Sequence, residues 1–170
     1  MSAVFQSTIF LVSGQGVQGD LYGDQPVRCL PYILNSASAA NNVFGSAFTV
    51  VSQGIVEAGG AGVFAGFLVN PKNHASFGGS SGPFSPTLVL PNGETAGLLT
   101  MGLFYAYLPA TANIGDLVVY NTTTGALATI APSGTIPGGF AFAFAFVDVF
   151  TVTAAGLAVI NATPTLVIPT

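Results

Sequence analysis

The apolar residues of this chain alternate with a period of two, and the alternation is clearest between Phe140 and Phe150. The phenylalanines of this segment fall on one side of a strand, and the alanines and valines fall on the other, because successive side chains of a strand point to opposite faces. Asp148 falls on the Phe side, so it needs a polar partner or an opening to solvent. The pattern predicts a strand with one bulky face and one face that a second layer can approach closely.

Further short apolar runs are separated by Gly, Pro, Asn and Ser, which are typical of turns. They predict strands at Phe5–Val12, Val27–Leu34, Ala47–Val51, Val63–Val69, Thr87–Leu90, Leu98–Leu108, Leu117–Tyr120, Leu127–Ile130, Leu157–Ile160 and Thr165–Ile168. Only Ala37–Asn42 and Thr95–Leu99 could hold a helical turn. Asp116–Ile130 predicts a hairpin whose loop closes through a positive φ at Gly125. Many short strands indicate an all-β fold, a compact β-sandwich or β-barrel of antiparallel strands with extended terminal arms.

A chain of 170 residues is the right length for a single all-β domain over residues 1–170. Ser76–Pro86 is the best candidate for a flexible loop, and it would join two β lobes of that one unit. Only 5% of the residues are charged and 51% are hydrophobic, whereas roughly 25% are charged in an ordinary soluble domain. A surface with so few charged residues tends to associate with other protein surfaces. The composition therefore points to a protein that forms part of an assembled particle.

Two classes of partner are not expected. The charge balance argues against nucleic acid, and the interruptions in the long uncharged stretches argue against a membrane. There are 2 Lys and Arg against 6 Asp and Glu, for a net charge of −4, and nucleic-acid binding needs clustered basic residues. Thr95–Gly115 and Leu117–Val147 are long enough for a membrane helix, but Pro and Gly interrupt them and no cationic flank orients them. An outer-membrane barrel would require a signal peptide, and the first residues have no basic n-region. We therefore expect neither nucleic acid nor membrane as a partner.

Gly14–Gly19 matches the G-x-G-x-x-G pattern of dinucleotide-binding loops and follows a predicted strand. The third glycine of that pattern should open a helix whose N-terminus holds the pyrophosphate. Gly23, Pro26 and Pro31 follow instead and prevent such a helix. The segment is therefore expected to be a glycine-rich β-turn or bulge, with no cofactor bound.

No arrangement of residues predicts catalysis or metal binding. His74 is the one histidine, no G-x-S-x-G segment offers a nucleophile, and the acids are dispersed. His74 is expected to be a surface or interface histidine. Cys29 cannot form an internal disulfide by itself, and we expect it to be a small buried hydrophobe in a strand. We therefore predict no catalytic site, no cofactor site and no metal site.

The two cations are informative because they are so few. A turn at Gln25–Pro26 could bring Arg28 against Asp20 or Asp24, and we expect this candidate ion pair to contribute register or specificity more than stability. Lys72 is either an exposed turn lysine or an anchor to an acidic partner.

Four segments of the chain carry a family likeness: Gly14–Leu34 (GQGVQGDLYGDQPVRCLPYIL), Val63–Lys72 (VFAGFLVNPK), Val43–Thr49 (VFGSAFT) and Asn113–Leu127 (NIGDLVVYNTTTGAL). They resemble the structural cement, or head decoration, proteins of tailed bacteriophages. The similarity covers most of the chain and is densest from Gly14 to Gly78. Cys29 stands where a small residue such as Ala is expected, so the match is looser at this position.

The resemblance implies a non-enzymatic virion protein, made in the bacterial host cytoplasm and placed on the exterior of the capsid. It would bind the major capsid protein, bridge neighbouring capsomers and form a small homo-oligomer, a dimer or a trimer. The most family-like exposed turn supplies the candidate capsid or oligomer contacts, which are Phe64, Asn70, Pro71, Lys72 and Asn73. The terminal segments Met1–Gln6 and Thr163–Thr170 could add strands to the sheet edge of a neighbour. The alternatives are a tail or fibre component, which copy number would distinguish, and a small hydrolase, which would lose turnover on mutation of His74.

Overall fold

The computed structural model describes residues 16–70 and 88–163 of the chain. These residues form nine strands and a short 3-10 turn at Ala39–Asn41. The strands are β1 (Arg28–Leu34), β2 (Ala47–Ser52), β3 (Ile55–Ala58), β4 (Val63–Leu68), β5 (Thr95–Leu108), β6 (Leu117–Asn121), β7 (Leu127–Ile130), β8 (Phe140–Asp148) and β9 (Gly156–Ala162). No helix in the described ranges has the length and the apolar character that crossing a membrane requires.

The first five strands close into a barrel, in the order β1-β3-β2-β4-β5 with β5 returning to β1. Closure removes the open sheet edges that would otherwise offer unpaired backbone groups. The remaining strands continue from β5 as a second sheet in the order β5-β9-β8-β6-β7. The predicted all-β class is confirmed. The expectation of antiparallel strands is wrong for one pair, because β1 and β3 run parallel.

Strand β5 belongs to both sheets. Its first residues pair with β1 and β4, and its last residues, from Gly102 to Leu108, pair with β9. Gly102, at a φ of +127°, lies where the pairing changes. A Cβ at that position would lie 2.8 Å from Val27 Cγ1, so glycine allows the close approach of the chain before β1.

Neighbouring residues of the barrel strands point into two different hydrophobic cores. Phe48, Leu68 and Leu98 belong to the cluster that fills the barrel, whereas their neighbours Ala47, Phe67 and Leu99 belong to a second cluster. That second cluster also contains Phe104, Val118, Ala143, Ala145, Val147 and Ile160 of the second sheet. Because side chains alternate across a strand, the second sheet packs against the outside of the barrel wall.

Backbone hydrogen bonds fasten the β6–β7 hairpin to the barrel. The Ala47 N–H donates to the Gly125 carbonyl at 2.9 Å, and the Gly60 N–H donates to the Thr122 carbonyl at 2.7 Å. Gly125 has a φ of +74°, and a Cβ there would lie 2.9 Å from the Gly59 nitrogen. The predicted hairpin and its positive φ are confirmed by the pairing of Leu117–Tyr120 with Leu127–Ile130.

A buried polar network holds the segments that flank β1, β2 and β5. The Ser36 hydroxyl donates to Asn42 Oδ1 at 2.6 Å, and Asn42 Nδ2 donates to Asn92 Oδ1 at 2.9 Å. Asn92 Nδ2 donates to the Ser36 carbonyl at 2.8 Å, and the Ala58 N–H donates to the Ser36 hydroxyl at 2.8 Å. Every buried side-chain nitrogen and oxygen of the described residues has a partner, so the network is held without an orphaned polar group.

Most predicted strands in the described residues are confirmed, with boundaries that differ by a few residues. The helical turn expected at Thr95–Leu99 is wrong, because these residues begin β5 and are held there by pairing with β1 and β4. The helical turn expected at Ala37–Asn42 is confirmed as the 3-10 turn, while β3 was not predicted. Within Thr87–Leu90 the described residues form only an isolated bridge, between Val43 and Val89. The predicted strands Phe5–Val12 and Thr165–Ile168, the terminal arms and the junction at Ser76–Pro86 lie outside the described residues.

Candidate functional site

Strand β8 presents its small side chains to the core and its phenylalanines outward. Ala143, Ala145 and Val147 are fully buried, whereas Phe144 is 41% exposed. The small face lets the second sheet approach the barrel wall closely. The two predicted faces are confirmed, and the bulky face is the one directed away from the core. Asp148 finds a partner in Asn161, whose Nδ2 donates to its Oδ2 at 3.0 Å.

Phe144 lies in a bulge of β8. The pairing of β6 with β8 passes from Leu117 opposite Phe146 to Val119 opposite Phe142, so β8 advances four residues where β6 advances two. The φ of Phe144 is +49°, a conformation that is costly for a bulky residue. The Thr163 N–H donates to the Phe144 carbonyl at 3.0 Å and holds the bulged backbone. Bulges of this kind re-aim a side chain, here an aromatic one at the surface.

The ring of Phe144 forms one wall of a groove of about 270 Å³ that we call the aromatic groove. Its lining residues come from strands of both sheets and from the end of β9; they are Arg28, Val63, Phe64, Thr100, Phe144 and Thr163. Val63 is 77% exposed, the most exposed large apolar residue in the described chain. The groove therefore combines accessible apolar surface with a cationic side chain.

The aromatic groove rests on a chain of ring contacts that leads into the core. The ring centroids of Phe64 and Phe144 are 5.9 Å apart, and those of Phe64 and Phe67 are 5.2 Å apart. Phe67 in turn lies 4.7 Å from Phe104, and both of these rings are fully buried. These spacings are those of attractive aromatic pairs, so the floor of the groove is held by the core.

The Arg28 side chain is directed by Thr100. Arg28 Nε donates to Thr100 Oγ1 at 2.8 Å, and the Thr100 hydroxyl donates to the Arg28 carbonyl at 3.1 Å. Asp20 is buried, and its Oδ2 accepts from the Val17 N–H at 3.2 Å. Asp24 is exposed. The ion pair of Arg28 with Asp20 or Asp24 stays a prediction.

The predicted contact residues are placed in different surroundings. Phe64 lies in β4, half-buried, and lines the aromatic groove. Asn70 has a φ of +65°, and its N–H donates to the Gly19 carbonyl at 3.0 Å. Pro71, Lys72 and Asn73 lie outside the described residues, as does His74. Their role as contacts stays a prediction.

The structure brings Phe64 and Arg28 together, although sequence reasoning gave them separate roles. Val63, Thr100 and Phe144 were missed as members of one site. The Phe and Ala alternation of β8 was the available signal for Phe144, but it does not reveal which face meets the core. Thr100 carries no signal, because its contact with Arg28 depends on the pairing of β1 with β5.

The described residues offer little for chemistry. In the described ranges, no group of three or more His, Cys, Asp or Glu side chains is arranged to hold a metal ion. Cys29 is partly buried, and burial raises the pKa of its thiol, which favours the less reactive protonated form. The glycine-rich motif ends in a turn, with Gly19 at a φ of +85°, and the chain continues into a bridge between Leu21 and Phe104. The predicted turn is therefore confirmed.

Comparisons with known proteins give one family and one fold. The family model described as structural cement protein (E217 gp24/Pam3 gp6) matches residues 5–163. A chain of the solved structure named "The capsid of Myoviridae Phage XM1" is similar in fold, with a TM-score of 0.61 and 14% identity, over 95% of this chain and 99% of that chain. The comparison with curated protein sequences finds no match.

Proposed function

Since this chain belongs to the structural cement protein family of phages, we propose that it binds the outer face of the major capsid lattice, bridges neighbouring capsomers and reinforces the head against the packaged DNA. Family membership makes it a structural, capsid-stabilising component of the virion. The observation that carries the proposal is the family match over residues 5–163. We propose that the protein has no catalytic role, since the family is described as structural.

The charge of the chain favours a position outside the shell. With 6 acidic and 2 basic residues, the protein has a net charge of −4 and would be repelled by packaged DNA. We therefore propose that it contacts protein alone, with neither nucleic acid nor membrane as a partner.

The surface favours association with protein. Apolar residues on several elements are more than a third exposed; they include Leu30, Ile33, Val51, Val63, Tyr107, Ile114, Phe144 and Val149. Repeated contacts on one shell add avidity even when each single contact is weak. We propose that the free protein is a small homo-oligomer, a dimer or a trimer, which light scattering of the purified protein tests.

Addition of the purified protein to phage heads that lack it tests the proposed function. We expect saturable binding at a copy number comparable to that of the major capsid protein, with density on the outer surface in electron micrographs. We also expect the heads to rupture at a higher temperature once the protein is bound, because a ligand of the intact shell stabilises it.

Three results would contradict the proposal. Heads that bind no protein, or that rupture at an unchanged temperature, remove the cement role. Native virions with only a few copies, located at the tail, would assign the chain to the tail or a fibre.

A further inference from the structure

The geometry points to the aromatic groove as the place where the capsid lattice is bound, with one kind of occupant. We propose that this occupant is a capsid-protein segment that carries an apolar side chain next to an Asp or Glu carboxylate. The inference rests on the proposed function and adds the docking site and the chemistry of its partner.

The apolar half of this recognition comes from Val63, Phe64 and Phe144. Val63 and Phe144 are 77% and 41% exposed, and Phe64 joins them to the buried rings of the core. Burying aromatic surface in a pocket that is already formed contributes strongly to protein association, because little side-chain entropy is lost. A groove of about 270 Å³ has room for one large apolar side chain.

The charged half of the recognition comes from Arg28. It is the one Lys or Arg within residues 16–70 and 88–163, and it lies at the groove of a protein whose net charge is −4. The groove's described lining contains no carboxylate. The 2.8 Å contact with Thr100 orients the guanidinium before a partner arrives. A carboxylate beside the apolar side chain would complement this charge.

The bulge at Phe144 is a second reason to regard the groove as a preformed binding surface. A phenylalanine at a φ of +49° is strained, and here the strained backbone holds an exposed ring against Phe64. Such an outlier persists where the surrounding structure fixes it, here through the hydrogen bond from the Thr163 N–H to the Phe144 carbonyl.

The test measures binding of purified variants to heads that lack the protein, by co-sedimentation. In Phe144→Asn the ring is removed, and asparagine adopts a positive φ more readily than phenylalanine, so the substitution adds no backbone strain at this position. In Val63→Ser an exposed methyl surface is removed. We expect each variant to lower the affinity for heads by about tenfold or more.

Two matched controls distinguish the groove from the rest of the surface. Val149 is also 41% exposed and has a φ of +67°, so Val149→Asn repeats the change made at Phe144 outside the groove. Val51 is 54% exposed and does not line the groove, so Val51→Ser serves as the control for Val63→Ser. We expect both controls to bind heads like the unaltered protein.

Arg28→Gln tests the charge. The unaltered protein should lose affinity as salt is added, because a partly exposed ion pair is screened, and the variant should show weaker binding with a flatter salt dependence. Thermal melting of each variant shows whether the fold is retained.

Each outcome has one meaning. If the unaltered protein binds heads and Phe144→Asn and Val63→Ser bind equally well, the groove is not the docking site and the proposed function stands. If the unaltered protein does not bind the heads, the proposed function is wrong and this inference is wrong with it. If light scattering shows that the groove variants lose the oligomer, the groove receives a second copy of this chain, and the inference is wrong whether or not head binding falls.

Discussion

Tyr120 is an ionisable side chain that lies almost entirely inside the protein. Its exposed fraction is 3%, it packs in the core between the barrel wall and the second sheet, and burial raises the pKa of its phenol. Burial raises the pKa of the Cys29 thiol in the same way. Both groups are therefore better tolerated in the fold when protonated, which makes stability depend on alkaline pH.

The pH dependence has a defined sign. The pKa of Tyr120 is higher in the folded than in the unfolded protein, so its contribution to the free energy of unfolding is complete below the ordinary tyrosine pKa of about 10. That contribution is lost as the pH rises through the folded pKa. We expect urea unfolding of the unaltered protein to show a loss of stability that steepens above about pH 10, and Tyr120→Phe to show a smaller loss in that range. Tyr107→Phe, at a residue 48% exposed, should keep the loss unchanged, and an equal slope in Tyr120→Phe would contradict this account.

At the scale of the element, the β6–β7 turn depends on glycine for two separate reasons. Gly125 has a φ of +74°, and a Cβ there would lie 2.9 Å from the Gly59 nitrogen of the barrel. Gly54, in the β2–β3 turn, has a φ of +75° but has open space around the Cβ position. The two glycines therefore separate conformational strain from the contact between the sheets.

We expect Gly54→Ala to cost about 1–2 kcal/mol, which is the strain of a left-handed conformation alone. Gly125→Ala should cost more than this, because the methyl group also pushes the hairpin from the barrel backbone. Chemical denaturation of the two variants measures the difference. Equal losses would mean that the hairpin can shift without weakening the fold.

The small face of β8 makes a second prediction at this scale. Ala145 is fully buried against the barrel wall, and a larger side chain there would separate the second sheet from the barrel. We expect Ala145→Leu to lower the free energy of unfolding by about 1–3 kcal/mol, as overpacked cores do. Ala154→Leu adds the same atoms at an exposed position and should leave the stability nearly unchanged. A stable Ala145→Leu would show that the sheet is free to move outward.

At the scale of the whole molecule, one strand connects the two hydrophobic cores. Leu98 of β5 lies in the barrel core, and Leu99 and Phe104 of the same strand lie in the core beneath the second sheet. A change that frees β5 removes a wall from both cores at once. The described residues are thus expected to unfold as one cooperative unit.

We expect a single unfolding transition in urea, with coincident midpoints by far-ultraviolet circular dichroism and by tyrosine fluorescence. The tyrosines suit this test because Tyr32 packs against the barrel core and Tyr120 lies in the other. Two separated transitions would mean that the barrel and the second sheet are independent lobes.

The sequence by itself determined the all-β class and most of the described strands, the hairpin closed by Gly125 and the two unlike faces of Phe140–Asp148. These features follow from local rules, namely the period of two, the positive φ that glycine tolerates and the turn residues between apolar runs. The resemblance of four short segments also indicated the structural cement family, and the family model matches residues 5–163.

Only the tertiary structure decided which face of β8 meets the core, because Ala and Phe faces are both apolar and the choice depends on the spacing between sheet and barrel. It also decided that Thr95–Leu99 forms a strand, since pairing with β1 and β4 overrides local preference. The aromatic groove is another feature that only the tertiary structure decided. Its residues come from β1, β4, β5, β8 and the end of β9. Closure of the barrel and packing of the second sheet against it bring these distant parts of the chain together.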